Sequence, residues 1–182
     1  MDQADLLGLL RGGVDAKGGE WADLGAGEGA FTMALADLLG PGAHITAVDR
    51  DAGALRRLAA EMGRRFPTTR VQTLVADFRK TLPLDGLDGV VMANSLHFLR
   101  DKSSVLASVK AMLRPGGRLI VVEYGSDRGN PWVPHPFTYA HWERMAAGAG
   151  FEQTRQLGTV PSRYLGSMYS AVTFAPRSTT AG

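Results

Sequence analysis

The sequence predicts an α/β fold: a mostly parallel sheet covered by helices on both faces and closed at one edge by an antiparallel hairpin. Three observations carry this reading. Candidate strands such as "AHITAVD" (43–49) and "RLIVVEY" (118–124) are continuous apolar runs, which marks strands buried on both faces. Segments with helical spacing of apolar residues alternate with them. The last two strands follow one another without a helix, and such a pair is antiparallel.

Taken in order, Leu6, Leu7, Leu9 and Leu10 predict a short amphipathic helix over 4–11, and "GGVDAKGG" ends it. Residues 1–19 thus form a helical extension before the first strand, 20–25. Phe31, Leu35, Leu38 and Leu39 have helical spacing, as do Leu55, Leu58, Ala59, Met62 and Phe66 after the second strand. "RVQTLVAD" (70–77) and "LDGVVMAN" (87–94) are the third and fourth strands. Val105, Leu106, Val109, Met112 and Leu113 predict a helix that "RPGG" stops before the fifth strand. A proline-rich loop, "NPWVPHPF", leads to a helix over 137–149 with Trp142, Met145 and Ala149 on one side. "FEQTRQLGTV" and "MYSAVTFA" form the closing hairpin, so one domain spans 1–175, and 176–182 is expected to be a disordered tail.

Composition bounds the function. With 182 residues, 45% hydrophobic and 21% charged, the chain suits one globular domain. It contains no cysteine, which excludes a disulfide framework, a thiolate metal site and a cysteine nucleophile. No apolar run approaches the ~20 residues of a membrane helix. The start, "MDQADLLGLLRGG", carries acidic residues where a signal peptide carries basic ones, so the expected location is cytoplasmic. Net charge is only +2. Arg56, Arg57, Arg64, Arg65 and Arg70 cluster around one helix without interleaved aromatics, a solvated face rather than a nucleic-acid footprint.

The chemistry centres on "DLGAGEG", where Gly25, Gly27 and Gly29 follow the first strand. Glycine accepts positive φ and lets backbone approach a ligand closely. In an open parallel sheet the ligand site lies beyond the carboxyl ends of the strands. The loop can be read as a dinucleotide pattern on Gly25, Gly27 and Ala30, a weak signal alone, while no Gly-Lys-Ser/Thr follows for a phosphate loop. Asp23, two residues before Gly25, would repel a pyrophosphate but could hold an ammonium. The second and third strands also end in acids, "AVDRD" and "VADF". A ligand with an amino-acid head, a ribose and an adenine would use all of these groups.

These segments, with "LRPGGRLIVVE" around the fifth strand, resemble the ordered motifs of class I S-adenosylmethionine-dependent methyltransferases over roughly residues 18–175. The resemblance implies a Rossmann-like three-layer sandwich with seven strands in the order 3-2-1-4-5-7-6 and strand 7 antiparallel. It implies S-adenosylmethionine as cofactor, with S-adenosylhomocysteine as product. By the same resemblance, Asp23 and the backbone of Gly25, Ala26, Gly27 and Gly29 would hold the methionine end. Asp49, 20 residues after Gly29, would bind the ribose hydroxyls and Arg50 would lie over the adenine. Asp77 and Phe78 would contact the adenine, and Asn94 would offer its backbone near the methionine moiety.

Methyl transfer to a nucleophile draws much of its rate from positioning, sometimes with a general base. His97 in "NSLHFL" is the first candidate base and His135 the second; both are candidate substrate contacts. Tyr124, Trp132, Arg163 and Tyr164 are further candidate substrate contacts, Trp132 lying in a long loop (125–137) expected to wall the substrate. "NSLH" departs from the (Asp/Asn)-Pro-Pro-(Tyr/Phe) motif of amine-methylating relatives, and no set of metal ligands is visible. The expected enzyme is a metal-independent methyltransferase acting on an O, N or other nucleophile of a small molecule. A non-catalytic S-adenosylmethionine-binding protein, and methylation of protein or nucleic acid, stay open. A dinucleotide oxidoreductase fits worst, because the closing hairpin matches the methyltransferase sheet and the 182 residues read here leave no room for a separate substrate domain. The short N-terminal extension implies a pocket that is either open or completed by a second subunit, the latter in a homodimer.

Overall fold

The computed structural model describes residues 1–177 of the chain. Helix α1 (Gln3–Arg11) is started by a capping box in which the Asp2 side chain accepts the Asp5 N–H and the Asp5 side chain accepts the Asp2 N–H. Its buried Leu6, Leu9 and Leu10 stand at i, i+3 and i+4, one face of a helix. Seven strands follow: β1 (Gly19–Leu24), β2 (Ala43–Asp49), β3 (Arg70–Val75), β4 (Leu87–Ala93), β5 (Leu113–Tyr124), β6 (Glu152–Pro161) and β7 (Ser167–Phe174). The helices between them are α2 (Ala30–Leu39), α3 (Ala52–Arg65), α4 (Ser103–Met112) and α5 (Tyr139–Gly148).

The sheet order is β3-β2-β1-β4-β5-β7-β6, the order implied by the motifs. β1 to β5 pair in parallel, and β7 is antiparallel to both β5 and β6. Successive strand residues point to opposite faces, and the two faces feed two separate cores. Trp21, Ile45, Val91, Ile120 and Val172 pack with α1, α2 and α3. Ala22, Val48, Val90, Val121 and Ala171 pack with α4 and α5. This makes the three layers. No helix separates β3 from β4, and Val75 at that edge is 58% exposed. Among the described residues, no helix is long and apolar enough to cross a membrane.

Two expected boundaries move. Leu113, placed on a helix by its spacing, opens β5 and pairs with Leu87. Arg114 precedes Pro115, and a residue before proline disfavours helical backbone, so the helix stops at Met112. The helix expected from residue 137 begins at Tyr139, because Pro136 restrains the chain and Thr138 caps the first turn by accepting the His141 N–H. Phe137 becomes a buried anchor instead. Of the 176–182 tail, residues 178–182 lie outside the described residues, while the Pro176 carbonyl accepts the Gly116 N–H. In the arginine cluster, Arg57 pairs with Glu28 and Arg64 with Glu61, which offsets part of its charge.

Candidate functional site

The carboxyl ends of β2, β1, β4 and β5 lie side by side along one edge of the sheet, and the loop after β1 turns onto the end of β2. Gly25 and Ala26 both donate to the Val48 carbonyl at the end of β2, at 2.8 and 3.0 Å. Gly25 has φ +86°, and a Cβ there would stand 2.8 Å from Ser95 Cβ, so only glycine lets the β1 and β4 loops approach. At Gly29, φ +89°, a Cβ would strike the Leu58 side chain, so this glycine serves packing on α3. Gly27 faces open space.

Three carboxylates stand along the first three strand ends, in three different environments. Asp23 is buried and accepts a 2.6 Å hydrogen bond from Thr32 Oγ1. Burial raises its pKa to about 6, against the lowering effect of Thr32 and with a further rise from Asp49. Asp49 accepts the Gly27 N–H with Oδ2 and the Asp51 N–H with Oδ1, each at 2.9 Å. It therefore ties the glycine loop to the start of α3. Asp77 is gripped by Arg79, whose Nε lies 2.9 Å from both carboxylate oxygens. The Arg79 hydrogen bonds hold the Asp77 pKa down to about 2.

The other half of the site is organised by Glu123, fully buried at the end of β5. Its Oε1 accepts the backbone N–H groups of Ser95, Leu96 and His97 at 3.1, 2.8 and 3.2 Å. Its Oε2 stands 2.8 Å from His97 Nδ1. This clasp shapes the turn after β4. Just before it, Asn94 takes a left-handed backbone, φ 54°, with its N–H on the Val122 carbonyl. Asn94 Oδ1 and Ser95 Oγ are buried with no protein partner among the described residues. Such groups are costly unless something else meets them.

Three cavities meet at Asn94. One of about 120 Å³ is lined by Asp49, Arg50, Phe78, Ser95 and Phe98. One of about 400 Å³ lies beside Asp23, Gly25, Ala26, Glu28 and Phe31. One of about 320 Å³ is bounded by Asp5, Tyr124, Arg163, Tyr164 and Met168. Asn94 lines each of them. A larger cavity of about 530 Å³ between α4 and α5 shares no lining residue with these three and holds none of the carboxylates above.

Of the residues singled out by sequence, Asp23, Gly25, Ala26, Asp49, Arg50, Phe78, Asn94, Tyr124, Arg163 and Tyr164 line the three cavities. Gly27, Gly29 and Asp77 line none of them. His97 and His135 line none of the three. His97 is buried on Glu123, and His135, an exposed residue, donates its backbone N–H to the His97 carbonyl. Trp132 is 70% exposed. The 125–137 loop is nevertheless tied to the site, since Asn130 Nδ2 donates to the Tyr164 carbonyl in the β6–β7 turn. Sequence reasoning missed Thr32, Ser95 and Asp5 at this site. Thr32 had a signal: it is the one hydroxyl on the otherwise apolar start of α2. Asp5 had none, because its role in a cap hides its place on the cavity wall.

A model of the methyltransferase domain matches residues 22–119, more than half of the chain. The relatives agree. A protein of Thermoplasma volcanium named "Probable cobalt-precorrin-6B C(15)-methyltransferase (decarboxylating)" is 27% identical over 66% of this chain and 58% of its own length. An uncharacterized methyltransferase of Mycobacterium tuberculosis is 35% identical over 56% of this chain and 49% of its own. The chain spans about half the length of the curated relatives it matches. The crystal structure of an arsenic(III) S-adenosylmethionine methyltransferase from Chlamydomonas reinhardtii superposes with a TM-score of 0.72 at 19% identity. The match covers 90% of this chain and 65% of that one, and at this identity it speaks to the fold. The chain belongs to the methyltransferase-domain family of class I S-adenosylmethionine-dependent methyltransferases.

Proposed function

We propose that the chain transfers a methyl group from S-adenosylmethionine to a nucleophile, O, N or other, of a small molecule, without a metal. The observation that carries this is Asn94, which joins the three cavities at one point. The adenosine would lie between Asp49, Arg50 and Phe78, and the methionine end beside Asp23 and the glycine loop. The acceptor would enter between Tyr124, Arg163 and Tyr164.

The residues fit that cofactor. A buried carboxyl with a pKa near 6 ionises readily when an ammonium arrives, and Asp23 provides one. The start of α2 has no side-chain cap, and Ala30 and Phe31 line the same cavity, which suits a carboxylate. The unpartnered Asn94 Oδ1 and Ser95 Oγ supply buried polar atoms for the ligand to meet. The bound cofactor supplies an electrophilic methyl group. The chain's own part is to hold the acceptor in line and keep water out, which is a positioning task. His97, paired with Glu123 behind the cavity wall, supports a positioning role better than a base role.

Calorimetry or thermal shift with S-adenosylhomocysteine, S-adenosylmethionine, NAD and ATP tests the reading. The first two should stabilise the fold, by about 2.7 kcal/mol at a hundredfold excess over Kd, and the others should not. Binding of NAD without S-adenosylhomocysteine would overturn it. Label from methyl-labelled cofactor should then appear in the small-molecule fraction of an extract, not in protein or nucleic acid.

A further inference from the structure

We infer that the methyl acceptor carries an oxyanion, a carboxylate or phenolate, that Arg163, Tyr124 and Tyr164 bind in the cavity beside Asn94. The inference rests on the proposed methyl-transfer reading and names its substrate class. Three residues with donor side chains line one cavity of about 320 Å³: Tyr124, which is buried, and Arg163 and Tyr164, which are exposed at its mouth. None of the three has a side-chain hydrogen bond or ion pair to another described residue. The carboxylate in the cavity, Asp5, already accepts the Asp2 N–H at the start of α1. Asp5 forms no ion pair with Arg163 among the described residues, and the α1 N-terminus is the charge it faces. Burial, then Glu123, then Tyr164 raise the Tyr124 pKa, so its hydroxyl keeps its proton and stays a donor. The turn bearing Arg163 and Tyr164 is held by Asn130 Nδ2 on the Tyr164 carbonyl and by the Ser162 N–H on the Gly166 carbonyl. A guanidinium and two hydroxyls form charge-assisted hydrogen bonds with an oxyanion and lose them with a neutral amide.

The test is calorimetric titration of the full chain, saturated with S-adenosylhomocysteine, with para-hydroxybenzoate and with its neutral counterpart para-hydroxybenzamide. The acid should bind at least about tenfold more tightly than the amide. Arg163→Gln should reduce that preference to less than about twofold and leave S-adenosylhomocysteine affinity unchanged, and Arg163→Lys should restore part of it. Equal affinities in the parent chain, an unchanged preference in Arg163→Gln, or no binding of the acid up to about 10 mM would each overturn the inference. Failure of the underlying reading shows separately, as absence of S-adenosylhomocysteine binding before any fragment is added.

Discussion

Around the ends of β1, β2 and β3, the carboxylates come one per strand and each finds a partner within the same half of the chain. Asp23 meets Thr32, Asp49 meets Gly27, and Asp77 meets Arg79 two residues on. Around the ends of β4 and β5 and the β6–β7 turn, the separations are longer than the 2, 9 and 22 residues of those three pairs. Glu123 holds Ser95, 28 residues away, and Asn130 holds Tyr164, 34 residues away. The first half presents Asp23 and Asp49 singly, each to its own cavity. The second half uses a fully buried carboxylate to shape its own backbone and lines a cavity with Tyr124, Arg163 and Tyr164. A constant ligand can be met by local motifs, while an acceptor pocket built from several loops needs an internal clasp.

The largest effect should come from breaking that clasp. Glu123→Ala leaves three buried N–H groups and His97 without their partner, and should cost about 3–5 kcal/mol in urea unfolding. A loss below about 1 kcal/mol would mean that the acceptor half is not held by Glu123. Next, Asp49→Ala frees the glycine loop. It should weaken S-adenosylhomocysteine binding by about 10- to 100-fold in calorimetry, with a much smaller effect on stability than Glu123→Ala. If the two variants lose stability equally, the halves are not independent.

The smallest effect is the pH dependence of Asp23. Its pKa in the folded chain, about 6, lies above the ordinary 3.8, so the folded state favours the protonated carboxyl. The Asp23 contribution therefore makes stability fall as pH rises from about 4 to about 6, and adds no further change above that. Binding of an ammonium runs the other way, because it needs the ionised form. S-Adenosylhomocysteine affinity should drop up to tenfold from pH 6 to pH 5 and level off above pH 7. Asp23→Asn should flatten this profile; an unchanged profile would remove Asp23 as its source.

The difference between the halves also explains what could be read from the residues. "DLGAGEG" and "AVDRD" place Asp23, Gly25 and Asp49 at strand ends, and the structure finds these residues on cavity walls. The spacing of Leu113 pointed to a helix, but Pro115 and pairing with Leu87 placed it in β5. His97 looked like a base because it follows β4 directly, yet whether its ring faces a cavity or Glu123 depends on β5, 26 residues on.

The sequence by itself determined the order of strands and helices, the glycine turn after β1 and the acids at the first three strand ends. These follow from short-range rules: apolar periodicity, φ preferences and the residue types that end strands. Only the tertiary structure decided which of those acids is buried with Thr32 and which is partly buried under Arg79, and that Glu123 turns inward while Arg163 stays unpaired. Burial and Coulomb energies are set by what chain folding brings within a few ångströms, and sequence distance carries no record of that.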